Sequence, residues 1–247
     1  MKNLFLFLFL LVVFTSKAQD NRVSGLNSRQ FTKYWKVESE SPDYKVTFQG
    51  DTAEIVSPKG LTLWRKEKMS GKVTIEYDAC VVVESDGDRL SDLNCFWMAS
   101  DPQYPDNLWK REKWRSGIFL NCYSLQLYYL GYGGNHNSTT RFRRYDGDES
   151  GITNPKARPA ILKEYTDAGH LLKPNHWYHI KITNENNRVS YYIDGERLVD
   201  FRDAEPLREG WFGFRTTLSR TRITNFSYEC SSQEAAAVPL QIGRAHV

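Results

Sequence analysis

Apolar and polar residues alternate with a period of two along most of this chain, which predicts strand after strand and almost no helix. Tyr44–Gln49 and Ala53–Ser57 alternate, and Leu61–Trp64 is a short apolar run behind the Pro58-Lys59-Gly60 turn. Gly71–Glu84 is long and rich in β-branched residues. In it Val73, Ile75 and Tyr77 share one face, with Thr74, Glu76 and Asp78 on the other. Leu93–Ala99 is nearly continuously apolar, as a strand in a sandwich core would be. Trp177–Thr183, Arg188–Ile193, Arg197–Phe201, Gly210–Arg215 and Arg222–Tyr228 follow, separated by Asn-rich, Asp-Gly and Gly-containing turns. Short strands at this spacing predict an all-β antiparallel sandwich of two sheets, with no internal repeat and no linker that would divide it.

The two ends stand outside this pattern. Lys2, the apolar run Leu4–Phe14 and the small residues Ser16-Lys17-Ala18 predict a secretory signal peptide over 1–18. The run is shorter than the ~20 residues that span a bilayer, so no membrane span is expected and the protein should be secreted or periplasmic. Ile242–Val247 resembles a translated sequencing adapter, and residues 231–247 are read as a non-native or disordered tail. A single domain is expected over 19–230.

The net charge of +3 is too small to support nucleic-acid binding by the whole protein, so any basic site must be local. Aromatic residues make up 14% of the chain, which suits sugar stacking as well as a sandwich core. Cys80, Cys95, Cys122 and Cys230 allow three disulfide connectivities; Cys95–Cys122 is the favoured pair, against buried free thiols. None has metal-ligand spacing, and no metal site or cofactor is expected. The turns Asp86-Gly87-Asp88 and Asp146-Gly147-Asp148 leave a structural Ca²⁺ open, although solvated turns are the commoner use of Asp-Gly. A monomer is expected.

The ordered set W-Y-x-I-K-I, V-S-Y-Y-I-D-G, G-x-x-G-F-R and I-T-N-F-S, spanning Trp177–Tyr228, resembles the concanavalin A-like lectin/glucanase superfamily. The segments Asp92–Pro102 and Tyr128–Gly147 are similar to a narrower group, secreted jelly-roll proteins of unknown function from polysaccharide-degrading bacteria, the YesU-like proteins associated with rhamnogalacturonan use. The resemblance implies a concanavalin A-like jelly-roll β-sandwich and a polysaccharide or oligosaccharide partner. It does not fix the chemistry.

A retaining glucanase on this fold would carry E-x-D-x-x-E or E-x-D-x-E, which sets two carboxylates about 5–5.5 Å apart. No such run occurs; Glu76-Tyr77-Asp78 lacks the second Glu. The chemistry concentrates instead in Leu125–Asp146, where Arg141, Arg143 and Tyr145 should share one strand face beside an Asn-His-Asn turn. A uronate lyase must neutralise a carboxylate and then move protons with a neutral His or Tyr. Arg141 and Arg143 are the candidates for the carboxylate, with His136 as base and Tyr132 as acid or base. Asn135, Asn137 and Tyr145 would hold the sugar, and Trp109 and Trp114 would stack on it from a loop long enough to close as a lid. The leading expectation is therefore a secreted protein acting on an acidic, uronate-containing glycan by β-elimination. The alternatives are a non-catalytic glycan-binding module of the same fold, or a glycoside hydrolase whose carboxylates come from separate strands. Arginines that merely pair with Asp101, Asp146 or Asp148 would give the same sequence signal.

Overall fold

The computed structural model describes residues 23–231. The expected signal peptide, and the tail from residue 232 on, lie outside the described residues. The described residues form two antiparallel sheets of eight strands each. In the first sheet the spatial order is β14 (Glu196–Arg202), β13 (Arg188–Ile193), β12 (Tyr178–Glu185), β7 (Lys72–Val81), β16 (Ser219–Ser231), β4 (Thr52–Ser57) and β3 (Lys45–Gln49), with β1 (Val23–Ser24) also on β16. In the second it is β11 (Lys163–Tyr165), β10 (Thr139–Asp146), β9 (Gln126–Gly133), β8 (Leu93–Ser100), β15 (Glu209–Thr216), β5 (Leu61–Arg65) and β2 (Trp35–Ser39), with β6 (Met69–Ser70) on β15. Ser231, expected in the tail, instead pairs with Lys72 and completes β16.

The expected alternation shows directly in burial. Val73, Ile75, Tyr77 and Ala79 of β7 point inward while their neighbours face out. They meet Cys95, Trp97, Tyr128, Leu130, Phe142, Phe212 and Phe214 from the second sheet in one inter-sheet core. Trp97 is fully buried there, against Tyr128, Phe142 and Tyr191.

β8 reads as continuously apolar for a second reason. The outer face of its sheet is also covered, by residues 101–125, which wind through three short helical turns between β8 and β9. Trp64, Phe96, Leu127, Tyr129, Tyr145 and Trp211 from the sheet meet Leu108, Cys122, Tyr123 and Leu125 from this cover in a separate apolar cluster. A strand buried on both faces needs no polar alternation.

The two clusters also settle the cysteines. Cys95 belongs to the inter-sheet core and Cys122 to the outer cluster, so the sheet stands between them and the favoured disulfide does not form. All four cysteines are free thiols. Burial pushes the Cys95 and Cys122 thiols up to about 12, so both behave as small apolar side chains.

Candidate functional site

Residues directly opposite in an antiparallel ladder point to the same face, so the register shows which side chains meet on the outer surface of the second sheet. One line across it runs Glu164, Arg141, Gly131, Asn94, Arg215, Thr62 and Glu38. The adjoining line runs Arg143, Tyr129, Phe96, Gly213, Trp64 and Lys36. The first line is polar except at Gly131, and the second is aromatic in the middle.

The cover closes one half of this surface. Arg115 is fully buried and donates from Nε and Nη2 to the two carboxylate oxygens of Glu38 at 3.3 and 3.0 Å. Burial raises the Glu38 pKa, and the Arg115 charge opposes that rise. Arg111 grips buried Asp101 at 2.7 and 2.9 Å and reaches Glu149 on the far side. Arg215 donates to the Gly117 carbonyl at 2.5 Å. Gly117 has φ +70, and a Cβ on it would lie 2.7 Å from the Gly60 carbonyl oxygen, so glycine is required where the cover touches the sheet. Residues 101–125 are tied to the sheet and to one another at several points and lie closed over this half of the surface.

The other half, around β9 and β10, is more open. Arg141 is partly exposed and donates from Nε to Glu164 at 2.5 Å. Arg143 is half-buried and donates to the Pro159 carbonyl. Arg143 has no carboxylate partner among the described residues, whereas Arg111, Arg115, Arg141 and Arg144 each have at least one. Asn94 is 6% exposed. Its amide donates to Asp92 at 3.2 Å, and its side-chain oxygen has no hydrogen-bond partner among the described residues. Between Asn94 and Arg141 lies Gly131, and a Cβ there would sit 2.3 Å from the Tyr129 hydroxyl oxygen. The absent side chain lets the Tyr129 hydroxyl lie across the floor between them. Burial raises the Tyr129 pKa, so this phenol stays neutral. Asp92 at the end of the patch holds a left-handed backbone (φ 65), a strained conformation for a non-glycine residue.

The expected site residues separate in this geometry. Arg141, Arg143 and Tyr145 do share the outer face, but Tyr145 is fully buried under Tyr123 and Tyr129 at ring distances of 5.2 and 5.8 Å. It packs and cannot touch a ligand. Tyr132 belongs to the opposite face: its ring packs edge-on against Tyr178 in the inter-sheet core and its hydroxyl donates to the Leu171 carbonyl at 3.3 Å. Burial raises its pKa further from the range useful to an acid or base at neutral pH. The sheet therefore separates Tyr132 from Arg141 and Arg143, and one sugar ring cannot meet all three.

The Asn135-His136-Asn137 turn joins β9 to β10 with three successive left-handed residues (φ 52, 58 and 57). Asn tolerates that region; His136 adopts it at a cost of roughly 1–2 kcal/mol. Asn135 donates to Thr139 Oγ1, and Asn137 spends both ends of its amide on the Leu172 backbone at 2.8 and 2.9 Å. These two amides hold the turn closed, while His136 is exposed at its tip. Trp109 packs edge-on against Trp211 and is partly buried; Trp114 is exposed with Arg111 against its ring. The acidic turns cap themselves: Asp88 accepts from the Glu84 and Ser85 N–H groups, and Asp148 from Ser150. Among the described residues, no group of three His, Cys, Asp or Glu side chains is placed to hold a metal ion.

Asn94, Tyr129 and Arg215 escaped the reading of the sequence. Two of them carried a signal: Asn94 is the polar intruder in the apolar run LNCFWMA, and Arg215 the one charge in GWFGFRT.

A family model for a domain of unknown function, DUF6250, matches residues 55–226. The chain belongs to the DUF6250 family. No curated protein matches it. Among solved structures, the DUF6250 chain is similar to a Bacillus subtilis protein of unknown function with a galectin-like fold, at 15% identity and TM-score 0.64, covering 82% of this chain and 91% of that one. It is also similar to the carbohydrate-binding module CBM66 from Bacillus subtilis, at 16% identity and TM-score 0.53, covering 79% and 94%. The exoplasmic/lumenal domain of VIP36, solved with Ca²⁺ and Man3GlcNAc, matches at 8% identity and TM-score 0.54, covering 89% and 91%. At these identities the likeness establishes the fold, a galectin-like or concanavalin A-like sandwich. Among the described residues, no helix is long and apolar enough to cross a membrane.

Proposed function

We propose that this DUF6250 protein is a glycan-binding protein that holds an acidic, hydroxyl-rich sugar on the outer face of its second sheet and does not cleave it. The observation that carries this reading is Arg143, a half-buried guanidinium without a carboxylate partner among the described residues. A cation so placed favours an anion from outside, and a guanidinium matches a carboxylate in bidentate geometry. The neutral Tyr129 hydroxyl lies by Gly131, between Asn94 and Arg141, and adds a polar group beside this cation; the Asn94 side-chain oxygen, unpaired among the described residues, is buried beneath it. Arg141 is a second cation on this surface, opposed by Glu164. Of the proteins with a similar fold, one is a carbohydrate-binding module and another was solved with bound Man3GlcNAc. The YesU-like resemblance points the same way, since it covers the strands that carry Asn94, Tyr129 and Arg143.

Binding is favoured over β-elimination because Tyr132 faces the inter-sheet core and cannot serve the arginines. His136 keeps one enzymatic reading open to test, since it is exposed on the turn that begins β10. Affinity electrophoresis in gels containing polygalacturonate separates these readings. Wild type should be retarded, Arg143→Ala should run free, and no ultraviolet absorbance from unsaturated uronate should develop in solution. Retardation of Arg143→Ala equal to wild type would refute the site, and developing absorbance that His136→Ala abolishes would replace binding with lyase chemistry.

A further inference from the structure

The first sheet carries a groove of about 480 Å³ on its outer surface, within the size range of small-ligand sites. Trp177, just before β12, stands at one side with 42% of its surface exposed, and Thr47 and Gln49 of β3 stand at the other. Four strand-to-strand steps of about 4.8 Å separate β12 from β3, so the groove runs roughly 19 Å across the sheet.

Glu54, Arg220 and Arg222 line it and belong to a closed ring of charge that Glu84 completes beside the groove. Arg220 Nε lies 2.9 Å from Glu54 Oε1, and Arg220 Nη1 lies 2.6 Å from Glu84 Oε2. Arg222 Nε lies 2.7 Å from Glu54 Oε2, and its Nη2 lies 3.3 Å from Glu84 Oε1. Each carboxylate bridges both guanidiniums, and two positive charges meet two negative ones. The ring offers fixed donors and acceptors with no net charge, so it does not select an ion. Thr47 shares a register line with Glu54 and Arg222, and Gln49 with Thr52, which adds hydroxyl and amide groups to the same surface.

We infer that this groove is a second glycan site, specific for neutral oligosaccharides, with Trp177 as the stacking platform. A pyranose ring has an apolar C–H face and a rim of hydroxyls. The exposed indole face suits the former and the preorganised Arg–Glu ring the latter. The length of the groove suits several sugar units. The inference does not rest on the acidic site of the second sheet, which uses other residues on the other sheet.

The test is isothermal titration of the purified protein with cellohexaose, mannohexaose and xylohexaose. At least one should bind wild type, and Trp177→Ala should weaken that binding by about tenfold or more, the effect of removing an aromatic anchor. Trp177→Tyr should retain most of the affinity, and the melting temperature of Trp177→Ala should match wild type because the ring is exposed. No binding of any probe by wild type, or equal binding by Trp177→Ala, would overturn the inference. The probes carry no charge, so failure of the acidic-glycan reading leaves this result unaffected.

Discussion

The outer faces of the two sheets are built from the same residue types and treat charge in opposite ways. On the first sheet, ion pairs such as Lys181–Glu76 and Arg188–Asp200 lie open to solvent. On the second, residues 101–125 cover the sheet and bury Arg115–Glu38 and the Asp101 carboxylate under an aromatic cluster. The exposed pairs are screened and contribute little each. The buried pair depends on its partner, because a lone charge left there has no water to turn to. The comparison teaches that a cation matters here when it is both shielded and unmatched, and Arg143, at the margin of the cover, meets both conditions.

Substitutions can break or sharpen that contrast. The largest effect is expected for Arg115→Met, which strands Glu38 under the cover. Chemical denaturation should show a loss of about 3–5 kcal/mol. A loss below 1 kcal/mol would mean that the cover is not held by this pair. Arg143→Ala should come next, costing about tenfold or more in affinity for polygalacturonate, with a near wild-type melting temperature. Glu84→Gln, at the exposed end of the Arg–Glu ring, should cost less than about 1 kcal/mol of stability. Smallest of all, Tyr145→Phe should be nearly neutral or slightly stabilising, since its buried hydroxyl has no hydrogen-bond partner among the described residues. A loss above 2 kcal/mol would reveal a partner for that hydroxyl.

The fold was legible because its information is periodic. Val73, Ile75 and Tyr77 announce their face by spacing alone, and Arg188–Ile193 appears as a strand with the same limits in both readings. β2 and the short β11 were missed: WKVES and KEY hold too few apolar residues to declare a strand, and pairing along the edges of the sheet forms them. The site was half legible. Alternation put Arg141 and Arg143 on one face, but parity alone could not show that Tyr132, on β9, faces the other way, since that depends on the β9–β10 register. Nor could it show that residues 101–125 bury Tyr145 while leaving Arg143 half open. Cys95 and Cys122 were paired wrongly for the same reason: that both flank the aromatic middle of the chain says nothing about which side of a sheet each occupies.

The central claim is that an acidic sugar sits on the outer face of the second sheet, beside Arg143. A crystal structure of the protein with bound trigalacturonate tests it most directly. The account predicts a galacturonate carboxylate on the Arg143 guanidinium, with an intact glycosidic bond. A ligand bound elsewhere, with Arg143 still holding only the Pro159 carbonyl, would contradict it.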